Sequence, residues 1–130
     1  MDYCITHPKN IKQDKKVILL LEKCFPKISR RYFDNRIMRD SSYGRKNSYI
    51  LIKDGSIVSH AYIFRKKLCR DKKQEKILGL GFIATLKSYR NQGYCSNILW
   101  SVLDDLKKED ACLIILFTRI SDFYRKFGFS

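Results

Sequence analysis

Metal-ligand patterns are scarce in this sequence: it has two histidines, His7 and His60, and five cysteines without a C-x-x-C pair. Cys4, Cys24, Cys69, Cys95 and Cys112 stand far apart, which indicates neither a zinc site nor a disulfide framework, so no metal is expected. In a reducing compartment such cysteines act as small apolar core groups. The N-terminus lacks the basic, apolar and small-residue order of a signal peptide, and the longest apolar run, Ala111 to Phe117, is far too short to span a bilayer. The expectation is a soluble, cytoplasmic protein without membrane contact. Repeats, linkers and low-complexity segments are missing as well, and 130 residues with 45% hydrophobic content suffice for one domain, 1–130, with a buried core.

Acidic residues are also few, 13 against 27 Lys and Arg, which leaves a formal net charge of +14. The excess is uneven: residues 1–40 carry ten basic against five acidic, 41–90 twelve against three, and 91–130 five against five. Its densest piece is FRKKLCRDKKQEK, Phe64 to Lys76, placed between two apolar strands and read as an exposed hairpin connection. Such a run is either a solvated loop or an electrostatic footprint for a polyanion, with Arg65 to Lys76 as the contact. Tyr43, Tyr49, Tyr62 and Phe64 would supply stacking groups if that polyanion were a nucleic acid or a ribosome.

Periodicity gives the elements. Tyr3 and Ile5 alternate with polar residues as a short strand, and Val17, Leu20, Leu21 and Cys24 recur at helical spacing until Pro26. Ser29 to Met38 reads as a second short helix. Tyr49 to Lys53 and Ile57 to Leu68 flank Asp54-Gly55, the chemistry of a tight antiparallel hairpin. Ile77 to Leu86, apolar on both alternating faces, reads as a buried strand. Next come a helix with Ile98, Leu99, Val102, Leu103 and Leu106 on its core face, a strand at 111–117, and a short helix within Ile120 to Ser130 ended by Gly128. Strand, helix, strand implies a parallel crossover. The fold class is therefore α+β, a mixed and mostly antiparallel sheet flanked by helices.

The turn SYRNQG between the buried strand and the following helix has a chemical reading. The first amides of a helix lack intrahelical partners and its dipole favours negative charge there. Gly93 lets a phosphate come close, Asn91 and Ser96 are small or polar neighbours, and Arg90 adds a full positive charge.

These residues resemble the GNAT superfamily of acyl-CoA-dependent N-acetyltransferases. Its main motif, a strand running into [RQ]-x-x-G-x-[GA] at a helix start, aligns with Ala84 to Cys95, and its F-Y-x-x-x-G-F signature resembles Phe123 to Phe129. The resemblance covers nearly the whole chain. It implies transfer of an acetyl group from acetyl-CoA to an amine. In such proteins the loop amides, here those of Arg90, Asn91, Gln92, Gly93, Tyr94 and Cys95, hold the pyrophosphate. The preceding strand, here Ile83, Ala84 and Thr85, pairs with the pantetheine arm, and the tyrosine matching Tyr124 protonates the departing thiolate.

Several positions depart from the pattern. Cys95 replaces glycine or alanine and must point into the core to leave the pyrophosphate room. Lys87 replaces a frequent proline, and no asparagine ends the strand at 111–117. Two further strands usually follow the second motif, so the resemblance implies a truncated chain or a sheet completed by another chain or a second copy. Ile77 to Leu86 holds no ionisable residue to serve as general base. His60 is the one neutral-pH candidate nearby, and its alternation with Val58, Tyr62 and Phe64 favours a packing role. A catalytically silent acyl-CoA-fold module is the alternative from another functional class.

Overall fold

A computed structural model of the chain describes residues 2–38, 44–109, 113–116, 125 and 127. Five strands form one sheet in the order of the chain: β1 (Tyr3–Thr6), β2 (Ser48–Lys53), β3 (Ser56–Arg70), β4 (Lys73–Thr85) and β5 (Leu113–Leu116). The first four pair antiparallel, and β5 lies parallel to β4 after a crossover through α3 (Tyr94–Leu106). This is the mixed α+β sheet expected from the sequence.

Between β1 and β2 the chain forms α1 (Ile11–Cys24) and the single turn α2 (Arg30–Phe33), which runs on as a wider π-turn over Asp34–Met38. Asn10 caps α1 by accepting from the amide of Gln13, and Ser29 caps α2 by accepting from Tyr32. The second helix read from Ser29 to Met38 is thus one α-turn and one π-turn.

The helices cover opposite faces of the sheet. Ile98, Leu99, Val102 and Leu106 of α3 pack on Leu51, Val58, Ala61, Ile63, Leu78 and Leu80. Val17, Ile18, Leu20 and Leu21 of α1, with Phe33 of α2, pack on Ile50, Ile57 and Ala84. Two layers around a sheet buried on both sides explain why β4 lacks polar alternation. Each buried large apolar side chain contributes about 1.5–3 kcal/mol.

Two bulges break the register. On β3, Ile52 faces Ile57 while Leu51 faces Ser59, so Val58 is the extra residue. It packs with the α3 layer and not on the face of His60, Tyr62 and Phe64, which corrects the simple alternation read from the sequence. On β4, Ala84 faces His60 and Gly81 faces Tyr62, so Ala61 stands opposite both Phe82 and Ile83. Phe82 there has φ +49°, a left-handed backbone rare for a bulky residue.

The basic run Phe64 to Lys76 is a hairpin, but it is not a long connection. β3 and β4 stay paired to Arg70 and Lys73, leaving Asp71 and Lys72 as a two-residue turn with φ of +50° and +66°. Glu109 bridges Arg65 and Lys76, and Arg65 Nε donates to Asn47 Oδ1 at 2.9 Å. Two cations of the run are therefore committed internally, whereas Lys66, Lys67, Lys72 and Lys73 are exposed.

The segments at 111–112 and 117 of the expected last strand, and most of Ile120 to Ser130, lie outside the described residues. Phe127 is described: it is buried in the α3 layer, its ring 4.7 Å from that of Trp100.

Candidate acyl-donor site

The site begins with the strand that leads into it. β5 pairs with β4 only from Ile77 to Leu80. From Gly81 to Thr85 the same edge of β4 has no strand partner among the described residues. A free strand edge presents unpaired backbone donors and acceptors and is a template for any extended, amide-bearing group.

Polar groups fix this stretch on its other side. Ser59 Oγ donates to the carbonyl of Ala84 at 3.0 Å and lies 2.9 Å from Thr85 Oγ1. His60 Nδ1 is 2.8 Å from the carbonyl of Phe82; a carbonyl only accepts, so Nδ1 carries the proton. His60 is fully buried, and burial lowers its pKa to about 4 against the raising effect of that carbonyl. Its Nε2 has no hydrogen-bond partner among the described residues. So weak a base, shut away from solvent, does not serve as general base at neutral pH. Its role is to pin the bulge.

Beyond Thr85 the chain turns through Lys87–Tyr89 and reaches α3. Gly93, the N-cap, has φ +84° and ψ +1°, and no side chain caps the helix. Asn91, at φ +62°, is the other left-handed residue of the turn. A Cβ on Gly93 would meet no atom within 4 Å, so conformation rather than crowding inside the protein demands glycine. The uncapped dipole end of a 13-residue helix favours an anion.

The sequence-predicted residues fall as follows. Ile83, Ala84 and Thr85 lie on the edge of β4 that has no strand partner among the described residues, and Arg90, Asn91, Gln92, Gly93, Tyr94 and Cys95 form the turn and helix start after it. Cys95 is partly buried and packs against the α3 core layer. Arg90 Nε donates to the carbonyl of Thr85 at 2.9 Å and Gln92 Nε2 to that of Ser88 at 3.2 Å, holding the turn against the strand. Tyr94 stacks edge-on with Tyr3 at 5.6 Å, and Asn97 Nδ2 donates to Tyr3 Oη at 2.8 Å, tying the helix start to β1. Tyr124 lies outside the described residues.

Sequence reasoning missed the bulge, whose signal was available in Gly79 and Gly81 inside an apolar strand. It also missed a groove of about 500 Å³ lined by Lys23, Cys24, Leu86, Lys87, Ser88 and Arg90. Lys23 and Cys24 reach it through the packing of α1, which no local pattern announces. Burial pushes the Cys24 thiol up, with Arg90 pulling the other way.

The profile of the acetyltransferase (GNAT) domain family matches residues 8–130. No curated protein matches the chain. Among solved structures, a conserved protein of unknown function from Enterococcus faecalis V583, described as a probable N-acyltransferase, is similar at TM-score 0.79 and 19% identity. That match covers 98% of this chain and 32% of the other, so the chain spans about a third of that protein's length. Glucosamine-6-phosphate N-acetyltransferase from Arabidopsis thaliana aligns at TM-score 0.74 and 18% identity, covering 100% of this chain and 92% of that one. A GNAT family acetyltransferase from Brucella melitensis in complex with acetyl-CoA gives 0.76 and 17%, covering 98% and 82%. At such identities these likenesses establish the fold.

Proposed function

We propose that this chain, which belongs to the GNAT acetyltransferase family, transfers the acetyl group of acetyl-CoA to an amine. The observation that carries this reading is one continuous path: the edge of β4 from Gly81 to Thr85, without a strand partner among the described residues, leads through a short turn into an uncapped helix start at a left-handed Gly93. An extended amide-bearing arm pairs with the backbone of Ile83 to Thr85, and its pyrophosphate rests on the amides of the turn from Arg90 to Cys95. Lys23, Lys87 and Arg90 gather positive charge on the α1 side of that turn.

In the reaction the amine lone pair attacks the acetyl carbonyl, a C–N bond forms, and the C–S bond breaks to release CoA thiolate. Tyr124, carried over from the F-Y-x-x-x-G-F match, supplies the proton that this thiolate takes up. The attacking ammonium first loses its own proton, through water, because no ionisable side chain lies on β4 between Ile77 and Thr85. Mass spectrometry of the protein incubated with acetyl-CoA and a panel of amines, peptides and lysate proteins tests the reading. A mass gain on an acceptor equal to one acetyl group in place of one hydrogen is expected. CoA binding with no acetylated product from any acceptor would make the chain a silent binding module.

Tyr124→Phe separates these two outcomes. A phenol that protonates the leaving thiolate matters only during bond breaking, so the variant should bind CoA normally. Its turnover should fall by about ten- to a hundredfold, the lower end of general acid catalysis, because a thiolate leaves readily. Equal turnover, with chemistry rate-limiting, would reduce Tyr124 to packing.

The four exposed lysines of the β3–β4 hairpin favour a second, compatible reading, contact with a polyanion. Changing Lys66, Lys67, Lys72 and Lys73 to Ser should leave CoA affinity unchanged. It should weaken RNA binding and flatten its log–log salt slope by up to about 0.7 per lysine lost. Absence of nucleic-acid binding by the parent at low salt dismisses this reading. β5, whose outer edge has no partner among the described residues, is where a second chain or copy would extend the sheet.

A further inference from the structure

On the α2 side of the sheet, the bulge of β4 is surrounded by rings. Gly79 and Gly81 leave the strand bare, and the Phe64 ring lies against it so closely that a Cβ on Gly81 would stand 2.8 Å from Phe64 Cε2. Phe82, whose backbone is left-handed, packs against the α1 and α2 layer and meets Phe64 at 5.2 Å and Tyr32 at 6.1 Å between ring centroids. Tyr32 is 43% exposed, and Phe64 and Phe82 are half-buried. Over this floor stands Arg36, its Cζ 5.8 Å from the Tyr32 centroid and 5.9 Å from that of Phe64. Arg30, Arg45, Lys53, Arg65 and Lys76 each face a carboxylate, whereas exposed Arg36 faces none among the described residues.

We infer that this aromatic floor with Arg36 at its rim is the acceptor site, and that it takes an amine whose apolar or aromatic body carries a carboxylate or phosphate. The inference rests on the donor site proposed above. Phe82 immediately precedes Ile83, where the proposed donor-binding edge runs, so an amine that reaches the acetyl carbonyl from the α2 side crosses these rings. The rings bury a flat or apolar body. Two ring faces hold the guanidinium in place, and its planar fork matches an oxyanion. The net charge of +14 steers an anionic acceptor inward and repels a polyamine.

Matched pairs test this: L-phenylalanine against L-phenylalaninamide for the carboxylate, and O-phosphotyramine against tyramine for the phosphate. Two readouts are taken, calorimetric binding to CoA-saturated protein and thiol release from acetyl-CoA. The anionic member of at least one pair should bind about tenfold more tightly and show the lower KM. Arg36→Gln should erase that preference mainly through KM, and Arg36→Glu should reverse it, with unfolding midpoints and CoA affinity unchanged. The pair that responds identifies the anion. Equal binding within both pairs, preference for the neutral members, or a preference that survives in Arg36→Gln overturns the inference. If CoA binds but no thiol is released, acetyl transfer fails as a reading. The binding arm then still decides whether Arg36 holds an anion.

Discussion

Gly93→Glu is expected to abolish CoA binding while leaving a folded protein. Two effects separate at this position. The first is conformational: at φ +84° any side chain costs about 1–2 kcal/mol of stability, which Gly93→Ala measures alone. The second is electrostatic. The space around a Cβ at Gly93 is open to 4 Å, so a glutamate there starts without a clash at its Cβ and brings a carboxylate to the uncapped helix start. At an effective dielectric of about 20, one unit charge held about 4 Å from another costs about 4 kcal/mol. CoA affinity should therefore fall by about a hundredfold or more, and the thermal shift produced by CoA in the parent should vanish. Gly93→Ala should keep most of that shift. Unchanged CoA affinity in folded Gly93→Glu would remove the pyrophosphate from this turn, and with it the assignment of Arg90 to Cys95.

How much of this was legible in the sequence depends on the range of the forces involved. α1 was legible because Val17, Leu20 and Leu21 mark one face of one helix, and its stop was written in Pro26. The β2–β3 hairpin was legible because Asp54 and Gly55, at φ +52° and +75°, are residue types that accept such backbones. The β3–β4 hairpin was only half legible. Its turn uses Asp71 and Lys72, with no glycine to announce it, and solvated lysines on both strands look like a loop. The β3 bulge at Val58 was not legible, because a bulge is defined by what stands across the sheet, and the β4 bulge left only the indirect signal of Gly79 and Gly81. The strand, turn and helix start of the candidate donor site were legible for the same reason that α1 was, since they are contiguous in the chain. The Lys23, Lys87 and Arg90 groove and the Arg36 rim gather residues from separate elements, and only packing brings them together.

Acid should destabilise this protein in a window set by His60. The imidazole is fully buried and neutral, with a folded pKa near 4 against about 6.5 when unfolded. Its Nδ1–H already serves the Phe82 carbonyl, so an added proton goes to Nε2, which has no hydrogen-bond partner among the described residues. Between pH 6.5 and 4 the unfolded chain binds that proton and the folded chain does not, so stability rises with pH across this interval. It is complete above about pH 6.5, falls as pH drops, and levels near pH 4 after a loss of about 3 kcal/mol. Glu109 acts in a different window. Burial raises its carboxyl, but Arg65 and Lys76 together hold it below the ordinary 4.5, so its contribution is lost only under more acidic conditions. His60→Asn isolates the effect, since the amide keeps an N–H near the Phe82 carbonyl and does not titrate. Urea unfolding from about pH 7 to 4.5 should show the parent losing stability steadily while His60→Asn stays nearly level. Parallel curves would mean that His60 takes up its proton as easily in the folded chain as in the unfolded one, and that it does not hold the bulge as a sealed, neutral group.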